Sequence, residues 1–281
     1  MFSDPIKYCL DQVRRFDHDR YLAILLTPEE FRAPLCALYA FDVEMSRIPY
    51  AVSEPMLGEI RFQWWRETLE ALTPLSQPGH EIAAALCETL FDGPLTPNDF
   101  LPLLDARASN LDQHSHETID TLTEQLRKTD VVCQSLALRL TGEMPCKTTI
   151  QYEDLALAYG MVALLRRLPQ DSAHQRLSIP LDLMAENELD PHDVFSGVFR
   201  SELSGAIKTL LAEASRLFEN GKRSQFSGRP GQLAVMLPAS LSPLYIAKIG
   251  GGDFNPFLHS SEIPAFRRQL RLLRVRWMKH F

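Results

Sequence analysis

The chain has 281 residues, 45% of them hydrophobic, enough to bury a substantial core. Lys and Arg number 29 against 36 Asp and Glu, a formal charge of −7, which gives no support to nucleic-acid binding. No apolar run of transmembrane length is expected, and the N-terminus lacks the charged-then-apolar pattern of a signal peptide, so the expected location is cytoplasmic.

Helical periodicity runs through almost the whole sequence, and β-branched residues do not cluster into strands. Thr27-Pro28-Glu29-Glu30 reads as a helix start, with Thr27 as cap and Glu30 closing a capping box. That helix is expected to reach Ile48 and stop at Pro49. Ser53-Glu54-Pro55 opens another, which runs to Leu72. After a loop over Thr73 to Gly79, a short helix is expected from Glu81 to Leu90, then a turn at Asp92-Gly93-Pro94. Thr96-Pro97-Asn98-Asp99 starts the helix that carries Phe100 to Ala108. Thr118 to Leu140 is expected as one helix ending near Gly142, and Tyr152 to Leu168 as another stopped by Pro169. Phe195 to Asn220 forms one or two helices, closed by Gly221. Ser227 to Gly231 is a loop, Leu233 to Ile249 an apolar stretch broken by Pro238 and Pro243, and Gly250-Gly251-Gly252 a joint. Ile263 to Phe281 closes the chain as a basic amphipathic helix. No repeat or long linker divides the sequence, so residues 1–281 are expected to form one all-α domain, a large orthogonal bundle.

The five cysteines are scattered, with no Cys-x-x-Cys or Cys/His zinc spacing; Cys36 and Cys133 read as small buried hydrophobes. His114 and His116 lie two apart in a polar segment, a spacing that suits a turn better than a helical metal site. Adjacent helical residues point about 100° apart, so of Trp64 and Trp65 one is expected in the core and the other at the surface or against a partner.

Four segments together resemble the squalene/phytoene synthase superfamily. They are Tyr21 to Phe41 with its Leu38-Tyr39-Ala40-Phe41 run, Arg61 to Leu72, Asn110-Leu111-Asp112, and Leu165 to Asp182. The resemblance implies the isoprenoid synthase fold. It also implies two carboxylate clusters that hold Mg²⁺ against a diphosphate. Where the first Asp-Asp-x-x-Asp cluster belongs, this chain has Ser46, Arg47 and Tyr50. Counting back from Pro180, the second cluster falls on Arg167, Gln170 and Asp171, and only Asp171 keeps its acid; the upstream Gln and Asn fall on Gly160 and Ala163. Asp42 and Glu44, the acids left in the first stretch, are two apart and point about 200° from each other on a helix. Arg47 would repel a divalent cation but suits an anion.

The remaining pattern resembles more closely the non-catalytic branch that includes the mitochondrial complex I assembly factor. It covers Phe41-Asp42-Val43-Glu44, Val52-Ser53-Glu54, Ile60 to Trp65, Leu165 to Pro180, Leu181 to Met184, Asp190 to Phe195 and Pro243 to Ile246. That resemblance implies a non-enzymatic scaffold with a protein partner in assembly of a respiratory complex. Two alternatives stay open. One is a prenyltransferase that joins two prenyl diphosphates and needs Mg²⁺, with a rebuilt site from Asp42, Glu44, Asp171 and Asp112. The other is a prenyl-lipid binder without chemistry. No cofactor is expected unless the synthase alternative holds.

If the family fold holds, Arg32, Tyr39, Asp42, Arg47, Arg166 and Arg167 are candidates to line an anion-binding cavity. Salt bridges to Glu29, Glu44 and Asp171 are the plainer role for these arginines. On the last helix, Phe266, Leu270, Leu273, Trp277 and Phe281 share one face, and Arg267, Arg268, Arg271 and Arg274 gather on another. Such a helix either lies on an anionic membrane or docks a partner, or it closes the bundle with a solvated basic side.

Overall fold

The computed structural model describes residues 2–91, 93–111, 115–142, 149–223, 230–252 and 254–279. Asp112, His114, Cys146 and Phe281 lie outside these. All regular secondary structure among the described residues is helical, with no strand.

The N-terminal half contains α1 (Asp4–Phe16), α2 (His18–Leu25), α3 (Glu29–Ala51), α4 (Pro55–Ala71), α5 (Glu81–Leu90), α6 (Leu101–Ala108), α7 (Ile119–Leu126) and α8 (Val132–Leu140). The C-terminal half contains α9 (Thr149–Ala173), α10 (Leu181–Glu186), α11 (Pro191–Phe195), α12 (Ser201–Gly221), α13 (Pro230–Met236), α14 (Ser242–Ile249) and α15 (Ala265–Met278). One continuous buried core runs from Ile6 to Val275.

Two helices organise it. On α3 every residue from Leu35 to Val43 is buried, as are Met45 and Ile48, so the helix is enclosed on all sides. It packs against α1, α2, α4, α5, α6 and α8. Phe41 meets Trp65 of α4 and Phe100 edge-on, each at 5.4 Å between ring centroids. On α9, Leu155 to Val162, Leu164, Leu165 and Leu168 are buried; α12 lays Leu203, Ile207, Leu210, Ala214 and Leu217 against it. That spacing of three and four keeps one apolar stripe on the core side. Each fully buried Leu or Ile contributes about 1.5–3 kcal/mol.

Local signals place several elements where the sequence put them. Asp99 accepts from both the amide (2.7 Å) and the hydroxyl (2.9 Å) of Thr96, which starts a 3₁₀ turn at Pro97 that leads into α6. Trp65 is buried and Trp64 is exposed, the division that their 100° separation requires. Burial pushes the Cys36 thiol up to about 12, as befits a core residue, and pushes that of Cys133 up as well.

Other expectations are corrected. Thr27 does not cap α3; its hydroxyl donates to the Ala23 carbonyl at 2.8 Å, and Pro28 stands at the cap position without a side-chain bond. Pro49 and Pro169 stop neither helix: α3 continues to Ala51 and α9 to Ala173. A proline inside a helix costs about 3 kcal/mol. Just beyond the prolines the Tyr50 hydroxyl donates to Asp171 at 2.5 Å and ties the two extended ends together, which returns part of that cost. The helix expected from Thr118 to Leu140 is interrupted by a π-helical turn at Arg127–Val131, which joins α7 to α8. Phe195 belongs to α11, separate from α12. The run Pro230–Ile249 has a mean hydropathy of 1.2 and meets the length for a bilayer span, contrary to the expectation of none; 72% of its apolar window is buried inside the bundle, where it serves as core.

A charge-inverted cavity and its family

The candidate cavity lies between α1, α2, α3 and α9, with a volume of about 860 Å³. A neighbouring chamber of about 360 Å³ shares Ser46, Tyr50, Arg107, Asp130 and Arg167 with it. Ser46, Arg47 and Tyr50 from α3 and Arg167 and Gln170 from α9 face the large cavity; Asp171 faces the small one. The positions read as two degraded metal motifs are thus brought together from two distant helices.

Their chemistry does not suit Mg²⁺. That ion takes several oxygen ligands at near-octahedral geometry, usually including carboxylates. The cavity presents seven arginines and four carboxylates; Asp17, Asp42 and Glu262 are paired with arginines, and among the described residues Asp130 accepts only the Thr129 hydroxyl. Asp42 receives Arg20 at 2.7 Å and Arg107 at 2.8 Å, with the carboxylate buried between them. Burial works to raise the Asp42 pKa, but the Arg107 and Arg20 guanidiniums outweigh it and hold the carboxyl below the usual range. Asp171 accepts from Tyr50 and Ser178. The Ser46 hydroxyl turns back to the Val43 carbonyl at 2.9 Å. No cluster of three potential metal-ligating side chains occurs among the described residues.

Two residues expected in the cavity are not part of it. Arg32 donates to the backbone carbonyls of Thr27 (2.8 Å) and Leu25 (3.4 Å). It stabilises the α2–α3 corner, because the α2 C-terminus leaves carbonyls without helical partners. Tyr39 is buried beneath the Arg20 guanidinium, 4.9 Å from its ring centroid. Arg166 lines the cavity but is spent on Asp19 (2.9 Å) and Glu262 (2.7 Å). The salt bridges expected for these arginines to Glu29, Glu44 and Asp171 are not formed: Arg166 pairs with Asp19 and Glu262, and Arg32, Arg47 and Arg167 make no ion pair among the described residues.

Asp19 was invisible to pattern reading. It is 1% exposed and accepts from Arg166, from Arg268 (2.9 Å) and from the Tyr245 hydroxyl (2.7 Å). The Tyr245 ring also stacks under Arg166 at 4.0 Å. One carboxylate thereby ties α2, α9, α14 and α15 together. Burial, with the adjacent Asp19 charge next, pushes the Tyr245 hydroxyl far up, so it stays a donor.

Arg268 therefore faces inward, which splits the basic face expected on α15. Arg268, Leu272 and Val275 are buried, and Arg271 is half-buried with its Nε on the Ser240 carbonyl at 3.1 Å. Phe266, Leu270, Leu273 and Trp277 all point to solvent, Trp277 91% exposed. The apolar stripe was expected; its outward direction was not legible, because the inward side of α15 is held by an ion pair.

The squalene/phytoene synthase family model matches residues 13–276. NADH dehydrogenase (ubiquinone) complex I, assembly factor 6 of Bos taurus is 24% identical over 279 residues, covering 99% of this chain and 84% of that protein. Phytoene synthase 1, chloroplastic, of Zea mays is 22% identical over 266 residues, covering 90% of this chain and 63% of that protein. Among solved structures, a dehydrosqualene synthase in complex with ligand superposes with a TM-score of 0.80 at 16% identity, covering 98% of this chain and 96% of that one. The all-α bundle is thus the isoprenoid synthase fold. With the family pattern matched across nearly its whole length, the chain belongs to the squalene/phytoene synthase family.

Proposed function

We propose that this protein is a non-catalytic member of its family that acts in assembly of a membrane-bound, complex I-like respiratory complex, without a metal cofactor. The observation that carries the reading is the charge inversion at the two motif positions. Arg47 and Arg167 stand where Mg²⁺ ligands belong, and Asp42 is saturated by two guanidiniums. Similarity to proteins named as complex I assembly factor 6, over 99% of this chain, supports the assembly role.

The same reading includes a peripheral membrane contact through α15, with the protein body in the cytoplasm. On a projection of 100° per residue, Phe266, Leu270, Leu273 and Trp277 form an outward ridge. Arg267 and Arg274 flank it on one side and Arg276 on the other, and Ala265 to Lys279 contains no acid. A basic amphipathic ridge of this kind favours an anionic bilayer surface.

The test is deletion of the gene in its native host, followed by native electrophoresis of the membranes. Loss of the assembled complex with its subunits still synthesised supports the assembly role; unchanged complex rejects it. Purified protein incubated with farnesyl and geranylgeranyl diphosphates and Mg²⁺ is expected to release no pyrophosphate. Turnover beside an active synthase control would reject the non-catalytic reading.

A further inference from the structure

Arg47 and Arg167 face the 860 Å³ cavity, and neither makes an ion pair among the described residues. Both are half-buried. The Arg47 guanidinium lies 3.5 Å from the Phe16 ring centroid, which holds it in place without cancelling its charge. The Arg167 Nε is buried and has no hydrogen-bond partner. Arg167 lines both chambers, beside Tyr50, and so stands at their boundary. Arg14 adds a third guanidinium at the rim, 5.9 Å from the Tyr21 ring centroid. The other cavity arginines are committed: Arg20 and Arg107 to Asp42, Arg166 to Asp19 and Glu262, and Arg15 to Asp11.

A sheltered guanidinium left without a partner is costly, and so is a group of them facing one space. A monocarboxylate would balance only one. A phosphoryl or diphosphate group carries several charges, and its oxygens match the guanidinium fork. We propose that this cavity is a metal-independent binding site for a phosphate-bearing anion, gripped by Arg47 from α3 and Arg167 from α9. The site goes beyond the assembly role and does not depend on it. Because arginines occupy the places of metal ligands, Mg²⁺ competes with the protein for the anion instead of bridging to it.

The anion could be free or the headgroup of a lipid, and the two are separated by probe. Purified full-length protein is titrated calorimetrically, in EDTA, with inorganic pyrophosphate and with a short-chain phosphatidic acid below its micellar concentration. Binding of pyrophosphate is expected if a free anion suffices; binding of phosphatidic acid alone assigns a lipid headgroup. Either is expected to weaken when Mg²⁺ is added in excess. Arg47→Gln and Arg167→Gln should each weaken binding roughly tenfold, the scale of one charge-assisted hydrogen bond. Arg216→Gln, which removes a surface pair with Glu213, should leave it unchanged. Should Arg167→Gln misfold by circular dichroism, Arg47→Gln and the charge-retaining Arg47→Lys decide the matter, with partial retention expected in the lysine variant. The proposal is overturned if neither probe binds at millimolar concentration in EDTA, if binding appears only with Mg²⁺, or if the Arg47 variants bind like the wild type.

Discussion

Replacing Asp19 with asparagine tests the buried node that holds the C-terminal helix. The carboxylate is 1% exposed and receives Arg166 and Arg268 at 2.9 Å each, and Tyr245 at 2.7 Å. The asparagine is nearly isosteric, so the change removes charge with little change in volume. Arg166 and Arg268 would keep only Glu262, at 2.7 and 3.2 Å, and that side chain is 53% exposed. Removing one partner of a buried ion pair costs about 3–5 kcal/mol. At an unfolding entropy of about 2.1 cal/mol/K per residue, a chain of 281 residues loses nearly 2 °C per kcal/mol, so Tm should fall by roughly 5–9 °C. Amide exchange should rise first in α15, because Arg268 is its polar anchor. A double-mutant cycle with Arg268→Met should be strongly non-additive, since both changes break the same pair. A Tm drop under about 2 °C, or additive effects, would refute the view that Asp19 is the clamp.

Three further outcomes follow from the same geometry. Tyr50→Phe removes the 2.5 Å bond to Asp171 and should cost about 1–2 kcal/mol in denaturant unfolding; an unchanged midpoint would show that the ends of α3 and α9 are not joined there. Asp42 has a folded pKa below its unfolded value, so its stabilisation is fully present above the unfolded pKa and is lost as pH falls through the folded one. The stability gap between wild type and Asp42→Asn should therefore be constant near neutral pH and shrink below about pH 4; a gap that widens in acid would contradict the assignment. Gly231→Ala would place a Cβ 2.6 Å from Thr141 Cβ and 3.2 Å from the Thr141 carbonyl, and should cost about 1–3 kcal/mol by calorimetry; a neutral result would mean that α13 and the end of α8 are not in close contact.

Local sequence set the helical class and most helix starts. These depend on local quantities: apolar spacing, caps such as Thr96 with Asp99, and residue types that fall at fixed offsets. It also determined which α15 residues share a face, since helix geometry sets that. Which of those faces turns inward was set by contacts far apart in the chain. Its inward side contains a charged residue, Arg268, whose partner Asp19 is 249 positions away. The prolines show the same division. Pro49 and Pro169 are local stop signals, yet both helices run on, and Tyr50 and Asp171, 121 positions apart, join their extended ends by a hydrogen bond. Local signals fix what a segment can form. Desolvated charges and long-range contacts, worth several kcal/mol each when buried, decide how those segments face one another, and they are spread too widely along the chain to be read in order.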